Sequence, residues 1–288
     1  KALACADRVA AVFEIQNAEE LLRDIAVTEE KESSTVSQNA IKTSEGRIPF
    51  LEFDHASLTY AGAGAETLHD MHFVVNRGET VGIIGGTGSG KSSLVNLIPG
   101  FYPVTKGAIR MDGRDIKEMT EDELRAKVGV VPQKAVLFKG SIRSNMQWGK
   151  QDATEEEMWQ AIDMAQAREV VEGKGGLDGK ISAGGKNLSG GQRQRLTIAR
   201  ALVKKPEILI LDDSASALDY ATDAKLRSAI RSLDGNTTTF IVSQRASSIR
   251  HADRIVVLDD GEMAGVGTHD ELLANCDVYK ELYKMEES

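Results

Sequence analysis

Cysteine is nearly absent. Cys5 and Cys276 are the only two in 288 residues, too far apart in sequence to form a metal-binding or redox spacing. That scarcity excludes a disulfide-stapled scaffold and suits a reducing compartment. Basic excess is missing as well: 35 Lys and Arg against 44 Asp and Glu leave a net charge of -9, so the chain lacks the electrostatic footprint of a nucleic-acid binder. No apolar run approaches the roughly 20 residues that cross a bilayer, and no secretory leader is visible. Lys rather than Met stands first, so the chain reads as a piece of a longer one. What remains is ordinary for a globular protein: 41% hydrophobic and 27% charged residues, long enough for one large or two modest domains.

The richest stretch is Val81–Ser93, VGIIGGTGSGKSS. A short apolar run breaks into glycines and then resumes as a helical pattern with Leu94, Val95, Leu97 and Ile98. Strand, glycine loop and helix start are the context that a phosphate-binding P-loop needs. Gly85, Gly86, Gly88 and Gly90 are expected to turn backbone N–H groups inward around an anion, at φ values that side chains resist. Thr87 and Ser89 complete the loop, and the helix behind it points its positive end at the same spot. Lys91 is placed to reach β- and γ-phosphates, and the Ser92 hydroxyl to hold Mg²⁺, with Ser93 following.

Along the chain, residues 1–26 carry a broken apolar helical stripe and 28–48 are polar, a linker. Phe50–Tyr60 alternates as a strand, and a second strand follows the glycine turn at Gly62–Gly64 and ends near Val75. Asp112-Gly113 between apolar residues signals a hairpin. Val128–Gln133 is a short buried strand ended by Pro132, 141–171 turns helical, and a glycine-rich loop runs from Gly173 to Gly185. Glu207–Asp212 and Thr238–Ser243 are apolar on both faces, as central parallel strands are, and Ile255–Gly261 opens a terminal hairpin. Strands alternating with helices predict an α/β sheet with right-handed crossovers. The P-loop, Gln133, Asp212-Asp213 and Gln244 each follow the C-terminal end of a buried strand, the edge where such sheets bind ligands. Asp212 is the expected Mg²⁺ carboxylate.

The stretch Leu188-Ser189-Gly190-Gly191-Gln192 adds a second helix start with a capping-box spacing. With the P-loop, Gln133, Asp212 and Ser216–Asp219 in this order, residues 50–273 resemble the nucleotide-binding domain of ABC transporters. The resemblance implies an α/β P-loop NTPase (RecA-like) core with a parallel sheet, an antiparallel β subdomain, and an inserted α-helical subdomain at about 135–190. It implies ATP and Mg²⁺ as cofactors. Tyr60 matches the ring on which adenine stacks. Gln133 matches a Mg²⁺ and water contact that also senses the transmembrane domains. Ser189, Gly190, Gly191 and Gln192 match the signature that closes over ATP held by a partner cassette, and Asp219 the loop that crosses to it, in a head-to-tail dimer.

Finer likeness is to exporters. Pro132–Phe138, followed by Gly140–Ile142 and Asn145, resembles the segment that docks on coupling helices, and Leu3–Ile15 with Arg8 the end of a last transmembrane helix. Residues 1–47 are then the end of that helix and a linker, 48–288 the ATP-binding domain, and the setting the cytoplasmic face of a cell membrane. The exporter pattern's acidic residue before the signature is replaced by Ala183.

Two departures bear on mechanism. In the family this chain resembles, hydrolysing cassettes place Glu directly after the Mg²⁺-binding Asp and His at the end of the next strand; here the residues are Asp213 and Gln244. The shorter carboxylate and an amide that cannot become a cation should slow hydrolysis more than binding. The expectation is one half of a heterodimeric exporter, binding ATP tightly, cutting it slowly, and completing the active site of a different partner. The alternatives are a homodimeric exporter ATPase using Asp213 as base, a soluble ABC ATPase outside transport, and a nucleotide-gated module with no turnover.

Overall fold

The computed structural model describes residues 48–214, 218, 220–231 and 237–287. The expected N-terminal helix and linker, Cys5, Ser216 and Asp219 lie outside the described residues.

β1 (Leu51–Leu58) and β2 (Leu68–Val75) pair antiparallel and send Leu51, Phe53, Ala56, Met71 and Phe73 into the core. Their ladder is broken twice. Between the pairs Phe53↔Phe73 and Ala56↔Met71, Asp54 and His55 together oppose His72; between Ala56↔Met71 and Leu58↔Leu68, His69 and Asp70 together oppose Ser57. Each extra residue is a β-bulge. His55 (φ 51°) and Asp70 (φ 50°) occupy the left-handed region there.

β3 (Thr80–Gly85) runs into the glycine loop and α1 (Lys91–Leu97). β4 (Lys106–Met111) pairs with the other side of β1 and turns at Asp112-Gly113 into the two-residue β5 (Arg114–Asp115). Both turn residues have positive φ, 51° and 80°, as a two-residue hairpin of this kind needs. Opposite the His55 bulge lies Gly107, φ 69°, where any Cβ would sit 2.5 Å from the His55 carbonyl carbon.

Helix α2 (Glu121–Lys127), capped reciprocally by Thr120 and Glu123, leads into β6 (Val128–Val131). The helical stretch beyond divides into three. β7 (Gly140–Ser141) precedes α3 (Ile142–Gln147), then come α4 (Glu155–Met164) and α5 (Arg168–Glu172), and β8 (Lys180–Ile181) pairs back to β7. α6 (Gly190–Leu202) buries Leu196, Ile198 and Leu202 in the same core as Met158, Ile162 and Val170. β9 (Ile208–Asp212), α7 (Tyr220–Arg231), β10 (Thr238–Ser243) and the hairpin β11 (Arg254–Asp259)–β12 (Glu262–Gly267) follow, closed by α8 (His269–Asn275) and α9 (Asp277–Glu287).

Two main sheets result: β2-β1-β4-β5, antiparallel, and β12-β11-β3-β10-β9-β6, parallel except for β12. The central strands feed two cores by strict alternation. Ile208 and Ile210 face the cluster shared with the antiparallel sheet and α1, while Leu209 and Leu211 face the helices α3 to α6. Burial on both faces explains their unbroken apolar runs. Buried Cys276 joins the helical-side core. Among the described residues no helix is long and apolar enough to cross a membrane.

Candidate nucleotide site

The C-terminal ends of β3, β6, β9 and β10 bound a cleft of about 310 Å³. Thr87, Gly88, Gly90, Lys91, Ser92 and Ser93 line it from the loop side, and Gln133, Asp212, Asp213 and Gln244 from the strand ends. One expectation about the loop needs correction. Only Gly88 (φ 84°) and Gly90 (φ 96°) take left-handed backbone. Gly85 is required for space instead, since a Cβ there would overlap the Leu258 carbonyl oxygen and lie 2.5 Å from Ser89 Oγ. At Gly86 nothing lies within 4 Å of a Cβ and φ is ordinary, so neither constraint applies.

Lys91 Nζ donates to the carbonyls of Gly85 (2.8 Å) and Gly86 (2.5 Å), curling over its own loop. Half-burial lowers its pKa, and the nearby carboxylates of Asp213 and Asp212 oppose that shift. Ser92 Oγ donates to Asp212 Oδ1 at 3.1 Å across the cleft. Burial raises the Asp212 carboxyl above its ordinary range and the charge of Asp213 adds to this, while Ser92 and Lys91 pull the other way. A half-buried carboxylate under-compensated by its surroundings, touching a hydroxyl, beside the amide of Gln133, is an all-oxygen donor set suited to a hard divalent cation. Ser92, Asp212 and Gln133 are the residues that would hold Mg²⁺.

Asp213 adopts φ 45°, and its N–H donates to the Val242 carbonyl at 3.0 Å. Its Oδ2 accepts from Gln133 Nε2 at 3.0 Å, so the residue after Asp212 is tied to the second residue beyond β6. Gln244 is exposed at the end of β10. Tyr60 flanks the cleft: its hydroxyl lies 2.8 Å from Ser93 Oγ, and its ring meets Tyr102 edge-on at 4.8 Å.

Ser189, Gly190, Gly191 and Gln192 do not line this cleft. Ser189 Oγ accepts from Gln192 N (3.2 Å) while Gln192 Oε1 accepts from Ser189 N (3.0 Å), closing the capping box at the start of α6. Sequence reading missed Thr67, which lines the cleft just before β2, and Gly261, whose N–H donates to the Ser89 carbonyl at 3.3 Å. The Asp260-Gly261 turn (φ 43° and 80°) marks a hairpin in the sequence, but nothing local says that it braces the loop some 170 residues earlier.

The family profile described as ABC transporter matches residues 68–216, beginning at the start of β2. The chain belongs to the ABC transporter family. It is 44% identical over 229 residues to an uncharacterized ABC transporter ATP-binding protein of Mycobacterium tuberculosis, covering 78% of this chain and 39% of that one. A putative multidrug export ATP-binding/permease protein of Bacillus subtilis is 41% identical over 253 residues, covering 88% and 43%. Among solved structures, a bacterial Atm1-family ABC exporter with ATP bound superimposes with a TM-score of 0.79 at 34% identity, over 95% of this chain and 48% of that one. This is the nucleotide-binding domain of an ABC transporter, and the chain spans about two fifths of the length of the curated relatives it matches.

Proposed function

We propose that this ABC domain binds Mg-ATP in the cleft and serves an exporter half-transporter at the cytoplasmic face of a membrane. It would pair head to tail with a second, non-identical cassette. The transmembrane part of the same parent chain would be its mechanical partner. The names of relatives that speak of multidrug export, and the ATP-bound exporter of the same fold, support the exporter reading.

The observation that carries the finer reading is an asymmetry inside one cleft. The gripping side has every part a triphosphate needs: N–H groups of the loop, Lys91, and the Ser92–Asp212 pair at 3.1 Å. On the cutting side Asp213 is one methylene short of a glutamate and already engaged by Gln133 at 3.0 Å, and Gln244 offers an amide instead of an imidazole. On binding, Lys91 would exchange its two loop carbonyls for phosphate oxygens, and bound Mg²⁺ would neutralise phosphate charge. Asp213 would be left to orient a water that it reaches poorly. The signature residues Ser189–Gln192, with Asp219, would act on the partner's nucleotide, where the partner supplies Glu and His.

ATP affinity and single-turnover hydrolysis measured on the 288-residue chain test this together. Tight binding with slow turnover is expected, and acceleration when a cassette carrying Glu and His is added. A fast, cooperative ATPase of the chain alone, abolished by Asp213→Asn, would instead establish a homodimeric enzyme with Asp213 as base.

A further inference from the structure

The two bulges of β1 and β2 gather a set of side chains that nucleotide chemistry does not use. In a regular strand adjacent residues point to opposite faces, and Asp54 and His55 would part. The bulge at His55 turns both away from the core that takes Phe53 and Ala56, against His72 from β2. One ligand atom from each of Asp54, His55 and His72 lies within 4.8 Å of the others. The imidazoles of His55 and His72 stack, with centroids 4.4 Å apart and planes 16° from parallel.

The second bulge supplies what surrounds a metal ligand. Asp70, the extra residue of β2, places Oδ1 2.6 Å from His55 Nδ1. A carboxylate at Nδ1 would leave Nε2 as the ligand nitrogen when the ring binds an ion, the arrangement that orients and strengthens a metal-binding histidine. Asp54 is braced as well: Arg110 Nη1 donates to its Oδ2 at 2.7 Å, leaving Oδ1 for another partner. Two nitrogens and one carboxylate oxygen suit Zn²⁺, Cu²⁺ or Ni²⁺ rather than Mg²⁺. Bond lengths near 2 Å require ligand atoms roughly 3.3 Å apart, so an ion would have to draw the exposed His72 ring out of its stack and inward by χ rotation while His55 stays on Asp70.

We propose that Asp54, His55 and His72 form a divalent transition-metal site, oriented by Asp70 and completed by water, on the outer face of the antiparallel sheet and separate from the nucleotide cleft. Its sheet strand β1 ends two residues before Tyr60, so a bound ion would stiffen the edge that leads to the cleft.

The test is a titration of the tag-free 288-residue chain with Zn²⁺ against a chromophoric indicator, with Cu²⁺ electron paramagnetic resonance as a second readout. One equivalent should bind, undisturbed by excess Mg²⁺ and by Lys91→Ala. His55→Ala and His72→Ala should each weaken Zn²⁺ binding at least tenfold, and Asp70→Asn about 10- to 100-fold. The Cu²⁺ spectrum should show two coupled imidazole nitrogens in the parent chain and one in each histidine variant. Circular dichroism and retained ATP binding show that these exposed substitutions leave the fold intact. Zn²⁺ binding equal in the parent and the His55→Ala/His72→Ala double variant, or a Cu²⁺ spectrum without nitrogen coupling, would overturn the assignment.

Discussion

Lengthening Asp213 to glutamate probes the cleft most directly. The substitution advances the carboxylate by about 1 Å, a displacement that in well-packed sites changes rates on the order of 100-fold. That factor corresponds to about 2.7 kcal/mol of barrier. The backbone anchor survives, because the Asp213 N–H to Val242 carbonyl bond does not involve the side chain. Left-handed φ at this position suits Asp better than Glu, so the variant should lose at most roughly 1 kcal/mol of stability. Gripping parts are untouched: Lys91, Ser92 and Asp212 keep their places, and ATP affinity should change less than about threefold. Adding Gln244→His places a second group near the same γ-phosphate. The two gains should therefore be non-additive. Steady-state phosphate release at saturating Mg-ATP, with nucleotide affinity and melting temperature measured beside it, reads all three quantities. A turnover unchanged or lowered in Asp213→Glu, at unaltered affinity and stability, would refute the reasoning that side-chain length limits this site.

Asp212→Asn should stabilise the nucleotide-free chain at neutral pH, on the order of 1 kcal/mol, while removing stabilisation by Mg-ATP. The sign follows from burial: a carboxyl raised above its ordinary 3.8 favours the fold at low pH and loses that contribution as pH rises through its folded value. Thermal melts from pH 4 to pH 8 should accordingly converge toward acid. Ser189→Ala removes the cap at the start of α6, costing about 1 kcal/mol and a few degrees of melting temperature. Because Ser189 is outside the chain's own cleft, its ATP affinity should hold while turnover in a mixed cassette pair falls. Gly107→Ala should destabilise by roughly 2–4 kcal/mol in urea, since its left-handed φ and the His55 carbonyl leave no room for a Cβ.

Much of the architecture was legible because its signals are local. Asp112-Gly113 announced its turn, Ser189-x-x-Gln192 its helix start, and the unbroken apolar runs at 207–212 and 238–243 their two-sided burial. The gathering of Lys91, Gln133, Asp212 and Gln244 in one cleft was legible too, since strand ends in a parallel sheet share an edge. What escaped depends on distant pairing. Phe-Asp-His-Ala at 53–56 contains no glycine to mark a bulge, and only the register against β2 and the space left by Gly107 create one. The Gln133–Asp213 bond joins residues 80 apart. Gly85 and Gly86 read alike as loop glycines, and it is chiefly the close approach of the Leu258 carbonyl from β11 that separates them.

The slips in β1 and β2 also govern how the molecule meets its neighbours. β2 is the outermost strand of its sheet, eight residues long, and a flat strand of that length would offer a template for another chain to zip onto. Kinked at Asp70 and flanked by imidazoles and a carboxylate, it presents a ladder too crooked to copy, while the opposite border, β5, stops after two residues. Substitutions that restore regular pairing along β2 should open this edge to strand addition by another chain.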